Sequence, residues 1–334
     1  MVHLASSHNC GLMGNPEGLM WRRVLTCLIV CSLALCMALA GAGLADAAAK
    51  KKKTKKPPAA PAITKPIYEA PMRVVIVRSS SPACEPLCPE WIAAEGEITS
   101  GTPGAFSKVF KQMGKRKLPI IIRSPGGSIS HALEVGRMIR KRGLDVSLGW
   151  TSFTGCAPDQ KSCKLPVEQK GIYRGLVLSS RAFCNSACHL VLAGGVTRLA
   201  PYGTYVGVHQ PRTTWTRETV YYRERYRIVK GKKKVIERKI VSRKPGKSRF
   251  TFGYDKRLRK QLTAFYKEMG VNPKILAEAE KAEFKDINYL DGIELQQFNM
   301  RTSAAGPETL AGPGVCKSVG TPGNCIENPK PLTQ

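Results

Sequence analysis

Ser124-Pro125-Gly126-Gly127-Ser128, Cys184-Asn185-Ser186-Ala187-Cys188 and Val208-His209-Gln210-Pro211 follow one another along a chain of 334 residues. Together they supply the parts that acyl transfer needs. Two adjacent glycines after a strand let backbone N–H groups face a substrate, because no Cβ blocks the approach. Ser186, among small residues at a helix start, is reachable as a nucleophile, and the amide of Ala187 lies beside it. His209 can take the serine proton. The residues therefore read as a serine hydrolase with a backbone-amide oxyanion hole at the glycine pair, expected to be a peptidase, with no cofactor and no metal. A zinc site is disfavoured: the chain past residue 47 keeps only His131, His189 and His209, and no CxxC spacing occurs.

The elements that must hold these residues can be read from periodicity. Strands are expected at Arg73–Val77, Trp91–Ile98, Leu118–Arg123, Asp145–Gly149, Gly175–Ser179 and Val206–His209. Helices are expected at 105–113, Ile129–Lys141, Ala187–Ala193, 255–269 and 273–283. This alternation predicts an α/β domain over 73–305 with a mostly parallel sheet. An extra loop is expected over 150–174, held by Cys156 and Cys163. Thr219–Val229 and Val235–Val241 alternate apolar and charged residues around Lys230-Gly231-Lys232, which predicts a protruding β-hairpin within an insertion at 212–254. Residues 306–334, rich in Gly and Pro, read as an irregular tail clipped by Cys316 and Cys325.

The formal charge is +29, and residues 212–260 hold 19 Lys/Arg against 4 Asp/Glu. Such a balance favours an anionic partner. Trp215, Tyr221, Tyr222 and Tyr226 interleave with the arginines, a pattern that also suits nucleic acid. Trp21-Arg22-Arg23 precedes an apolar run from Val24 to Gly41 and a small-x-small site at Ala45-Asp46-Ala47. Residues 1–47 thus read as an export signal, with Met20 the better start; the competing reading is an uncleaved inner-membrane anchor over 24–41. A Lys/Ala/Pro-rich linker over 48–72 follows. Eight cysteines remain beyond the signal, in four close pairs, as expected for local disulfides in an oxidising compartment such as the periplasm.

Ser124-Pro125-Gly126-Gly127, the run Ser186 to Gly195 and Val208-His209-Gln210-Pro211 resemble the proteolytic subunit of Clp protease. The resemblance takes in Trp91–Ile98 and Asp286-Ile287-Asn288-Tyr289-Leu290 before Glu294-Leu295, and covers about residues 73–302 with two insertions. The match points to exported Clp-like proteins of Gram-negative bacteria. It implies the Clp/crotonase fold of repeated ββα units, with Ser186 as nucleophile, His209 as base, Asp286 as orienting acid, and Gly127 and Ala187 as oxyanion donors. It also implies a peptide or protein substrate and makes a homo-oligomer possible. The basic hairpin falls where the family carries the handle that stacks its rings. An exported protein meets no ATP, so no unfolding ATPase is expected as a partner.

Each assignment has a plainer rival. Ser186 could be a helix cap, His209 a satisfied strand histidine, the glycine pair a tight turn, and Asp286 a cap, with Glu283 as a second acid. Ser128, Ser179 and Ser180 lack a matching downstream helix, and His189 is expected in the core. Cys184 and Cys188 fit a structural disulfide, inert thiols or a redox latch. Two other functions remain open: an inactive Clp-like module that binds an anionic envelope component through residues 212–260, and a crotonase-like acyl-CoA enzyme using the same paired amides.

Overall fold

The computed structural model describes residues 69–160, 163–165 and 171–327. The segment read as an export signal, most of the stretch read as a linker, part of the 150–174 loop and residues 328–334 lie outside the described residues. The fold opens with β1 (Arg73–Ser79) and β2 (Leu87–Glu95), followed by α1 (Thr102–Met113). Next come β3 (Ile120–Arg123), α2 (Ile129–Arg142), β4 (Val146–Leu148), β5 (Trp150–Phe153) and β6 (Tyr173–Leu178). The site-bearing stretch is β7 (Phe183–Asn185), α3 (Cys188–Ala193), β8 (Arg198–Leu199) and β9 (Tyr205–Val208). Beyond it lie β10 (Arg212–Val229), β11 (Lys232–Phe252), α4 (Lys256–Glu268), α5 (Ile275–Glu280), β12 (Asn288–Tyr289), α6 (Gly292–Gln297), α7 (Glu308–Ala311) and β13 (Cys325–Glu327).

The large sheet runs in the order β5-β6-β1-β2-β3-β4-β8. Its β2-β3-β4-β8 portion is parallel, whereas β1 pairs antiparallel with β2 and β5 antiparallel with β6. This is the mixed α/β architecture that the alternation predicts. Both faces of its centre are covered, so β3 reads as an unbroken Ile120-Ile121-Ile122 run. Ile120 and Ile122 face the main core with Phe106 and Val109 of α1, while Ile121 faces the other side with Trp91 and Val77. Period-two alternation produces that division. Each such aliphatic side chain contributes about 1.5–3 kcal/mol on full burial.

Two buried polar groups tie the sheet together. The Trp91 Nε1–H donates to Thr151 Oγ1 at 3.0 Å. Glu95, fully buried, accepts from Arg123 Nη2 at 2.9 Å and from the Thr151 amide at 2.8 Å. A buried carboxylate is tolerable only when paired in this way.

The segment read as an irregular tail is more ordered than its composition suggests. Its β13 pairs antiparallel with β2, and a Cys316–Cys325 disulfide closes the intervening turn. Disulfides also join Cys84 to Cys88, Cys156 to Cys163 and Cys184 to Cys188. β10 and β11 pair only with each other, as a two-stranded ribbon. No helix among the described residues is long and apolar enough to cross a membrane.

A smaller sheet, β12-β9-β7, stands at the end of the large one. Isolated parallel bridges join Ser124 to Cys184 and Ile98 to Gly127. Through these bridges the chain leaving β3 is stitched to the strand that precedes Ser186.

Candidate active site

Ser186 occupies the turn between β7 and α3 with φ 53°. Residues with a Cβ rarely adopt this left-handed region, and holding one there costs on the order of 1–3 kcal/mol. A strained serine between a strand and a helix is the backbone arrangement that nucleophile elbows use. Several contacts impose the conformation. The Ser186 amide donates to the Gly207 carbonyl at 2.8 Å, and its carbonyl accepts from the His189 amide at 3.3 Å and from His189 Nδ1. The Cys184–Cys188 disulfide brackets the turn, with Cα atoms 5.1 Å apart.

His189 is buried, as expected, and it does more than fill space. Its Nδ1–H holds the Ser186 carbonyl, and its Nε2 accepts from the Tyr266 hydroxyl at 2.6 Å. The Ser-x-x-His spacing at the start of a helix was the available signal for this brace. Burial pushes the imidazole down to about 4, with its bond to Ser186 opposing and His209 adding a smaller push downward. Burial likewise raises Tyr266 well above its usual range.

A pH dependence of stability follows from His189. The unfolded imidazole binds a proton below about 6.5, and the folded one only below about 4. Its contribution is therefore complete above about 6.5 and declines as pH falls toward about 4, by on the order of 3 kcal/mol. Urea unfolding across that window should show a loss in the native protein that His189→Gln reduces by about this amount. Identical slopes in the two proteins would exclude the effect.

Gly126 and Gly127 have φ 101° and 129°. A Cβ on Gly126 would lie 2.5 Å from the Ser186 Cβ, 2.6 Å from the Asn185 carbonyl oxygen and 3.0 Å from the Ala187 nitrogen. The glycine turn therefore passes directly against the Ser186 turn. The Gly126 carbonyl accepts from the Ile98 amide at 2.7 Å. Because the peptide is trans and planar, the N–H of Gly127 then points away from Ile98. Among the described residues nothing accepts a hydrogen bond from the N–H of Gly127 or of Ala187. An oxyanion hole requires N–H donors that are free in this way.

His209 follows β9, which runs parallel to β7 with Asn185 paired to Gly207. That register brings the histidine out at the same end of the small sheet as Ser186. The half-buried ring lies edge-on to Phe284 at 5.4 Å, and its Nδ1–H donates to the Gln210 carbonyl at 2.9 Å. Gln210 is itself anchored, its amide on the Ala282 carbonyl at 3.0 Å and its side chain on the Glu280 carbonyl at 2.9 Å. With the proton on Nδ1, Nε2 is the basic nitrogen. Burial lowers the ring's affinity for a second proton, and the bond to Gln210 partly offsets that.

Asp286 lies on an exposed turn, its amide bonded to the Glu283 carbonyl at 3.0 Å. Among the described residues neither Asp286 nor Glu283 forms a hydrogen bond to His209. The structure thus packs Gly126 against Ser186 and Ala187, sets His209 on the adjoining strand end with no hydrogen bond to Ser186 among the described residues, and leaves Asp286 off the ring. Ser128 makes a different pair, its hydroxyl 2.8 Å from His131 Nδ1 within the first turn of α2. Among the described residues no group of three His, Cys, Asp or Glu is arranged to hold a metal ion.

No family model matches the chain, and no curated protein matches it. It is similar to solved structures of three proteases. A mutant of the 1510-N membrane-bound stomatin-specific protease shares 15% identity over 64% of this chain and 78% of that one, with TM-score 0.35. A mutant ClpP1 from Listeria monocytogenes shares 12% over 61% and 84%, with TM-score 0.33. The ClpP catalytic domain from Plasmodium falciparum shares 11% over 62% and 79%, with TM-score 0.30.

Proposed function

We propose that the protein is an exported, ATP-independent serine hydrolase that cleaves peptide bonds through an acyl-enzyme on Ser186. The observation that carries this reading is the packing of the Gly126 turn directly against Ser186, a serine held in a left-handed turn, with the N–H groups of Gly127 and Ala187 left without an acceptor among the described residues. In the first step the Ser186 oxygen attacks the substrate carbonyl while His209 Nε2 takes the hydroxyl proton. The two N–H groups receive the tetrahedral oxyanion, and His209 returns the proton to the leaving amine. Water then attacks the ester, gives a proton to His209, and releases the acid and the serine. The Gln210 carbonyl keeps the imidazole in the required tautomer, and Asp286 takes a lesser part. Four disulfides support an oxidising compartment outside the cytoplasm. No nucleotide pool is needed for any step.

The purified chain, without nucleotide, is expected to hydrolyse a fluorogenic peptide library, and Ser186→Ala is expected to abolish turnover. Turnover that survives Ser186→Ala would end the reading.

A further inference from the structure

The ribbon of β10 and β11 has two chemically opposite faces. Residues directly paired across antiparallel strands share a face, and alternate positions change face. The register pairs Tyr222 with Ile240, Tyr226 with Val235 and Ile228 with Lys233. Val220, Tyr222, Tyr226, Ile228, Val235 and Ile240 therefore share one side. Five of them, Val220 excepted, are between 41% and 63% exposed. Charges on that side are partly paired: Glu224 with Lys233 at 3.2 Å and with Arg238 at 2.6 Å, and Glu218 with Arg243 at 2.9 Å, three cations against two acids. Lys233 also lies over the Tyr226 ring at 4.4 Å, and Arg238 over Tyr222 at 5.0 Å. On the opposite side stand Arg223, Arg225, Arg227, Lys232, Lys234, Lys239 and Lys244, with Glu237 the acid among them, 3.6 Å from Arg225, and with Tyr221 and Val229 as its apolar side chains.

A long two-stranded ribbon with an open apolar face is marginal in water by itself. Something must cover that face, and the opposite face must tolerate what covers it. A second copy meets an electrostatic obstacle. Residues 212–252 hold 15 Lys/Arg against 3 Asp/Glu, and stacked sheets sit about 10 Å apart, close to one screening length. A soluble polyanion would satisfy the cations and leave the tyrosines and isoleucines wet. An anionic bilayer satisfies both. Aromatic and aliphatic side chains enter the headgroup boundary on one side, while long Arg and Lys side chains meet lipid phosphates from the other.

We propose that the β10–β11 ribbon is an interfacial dock for an anionic lipid bilayer, with the Tyr222–Tyr226–Ile228 face in the membrane boundary. The inference is independent of the hydrolase reading. The test is flotation of the full chain with phosphatidylcholine vesicles that contain or lack phosphatidylglycerol, with thermal unfolding as the check on folding. The chain should float with the anionic vesicles and stay behind with the neutral ones. Arg223→Gln/Arg225→Gln/Arg227→Gln should weaken partitioning by roughly a hundredfold, since each cation near such a surface is worth about fivefold. Tyr222→Ser/Tyr226→Ser/Ile228→Ser should weaken it by about tenfold or more. Ser186→Ala should float like the native chain. Absence of flotation, or equal flotation with neutral vesicles, overturns the proposal. So does an apolar-face variant that floats normally while polyphosphate competes for the native chain, which would make the ribbon a polyanion site. A concentration-dependent dimer abolished by the apolar-face substitutions would assign that face to a second copy instead.

Discussion

His209→Ala will lower peptide turnover by about 10²–10⁴-fold, the contribution of a positioned general base. The pH profile of the native protein should identify the same group. The active imidazole is neutral, and burial holds its proton affinity below the ordinary 6.5. The rate should therefore fall on the acid side through an apparent pKa below 6.5. The companion substitution is Asp286→Asn. In a triad whose carboxylate holds Nδ1–H, acid-to-amide replacement costs about 10⁴ in turnover. Here Nδ1–H already has the Gln210 carbonyl at 2.9 Å, so Asp286→Asn should cost less than about tenfold by the same comparison. A loss near 10⁴ would mean that the acid swings onto the ring when substrate binds.

Gly126→Ala will also inactivate the site, through geometry rather than proton transfer. Its Cβ would meet the Ser186 Cβ at 2.5 Å and backbone atoms of Asn185 and Ala187 at 2.6 and 3.0 Å, none of them the end of a flexible side chain. The φ of 101° adds backbone strain for any residue with a Cβ. The glycine turn must move off the serine, taking the Gly127 N–H with it. Loss of one oxyanion donor costs about 10²–10³ in turnover, and the displaced serine turn adds to that. Gly114→Ala serves as the control, since φ there is 65° but nothing lies within 4 Å of the added carbon. It should cost stability of about 1–2 kcal/mol and leave turnover unchanged. Equal turnover in the Gly126 and Gly114 variants would remove the oxyanion assignment.

The helices α1, α2 and α4 were legible because each buries one stripe at helical spacing, as Phe106, Val109, Phe110 and Met113 do. The central strands were legible as short β-branched runs. β7, β8 and β12 were not, because two or three residues give no periodicity and distant partners set their conformation: Ser124 and Gly207 for β7, β4 and Ser303 for β8, and Gly207 for β12. β13 was hidden by its Gly/Pro-rich surroundings; its partner on β2 lies more than two hundred residues earlier. The ribbon was recognised by alternation but read short. Register shifts at Thr216/Glu218, Tyr221/Tyr222 and Arg225/Tyr226 break the period on which that reading depends.

At the site, residue types and order pointed to Ser186, His209, Gly127 and Ala187. No sequence pattern announced the left-handed φ of Ser186, which arises from the Gly207 bond, the His189 brace and the disulfide acting together. The attachment of His209 to the Gln210 carbonyl was equally invisible. A neighbouring carbonyl carries no side-chain signature, whereas a nearby acid such as Asp286 invites the role.

The most direct measurement is the position of the covalent adduct after treating the full chain with a fluorophosphonate, read by peptide mass mapping. Such probes react only with a serine whose proton is removed and whose developing oxyanion is held. The expected outcome is a single adduct on Ser186, lost in Ser186→Ala and strongly slowed in His209→Ala. An adduct on Ser128, or none on a correctly folded protein, would show that the paired amides and the imidazole do not act on the Ser186 hydroxyl.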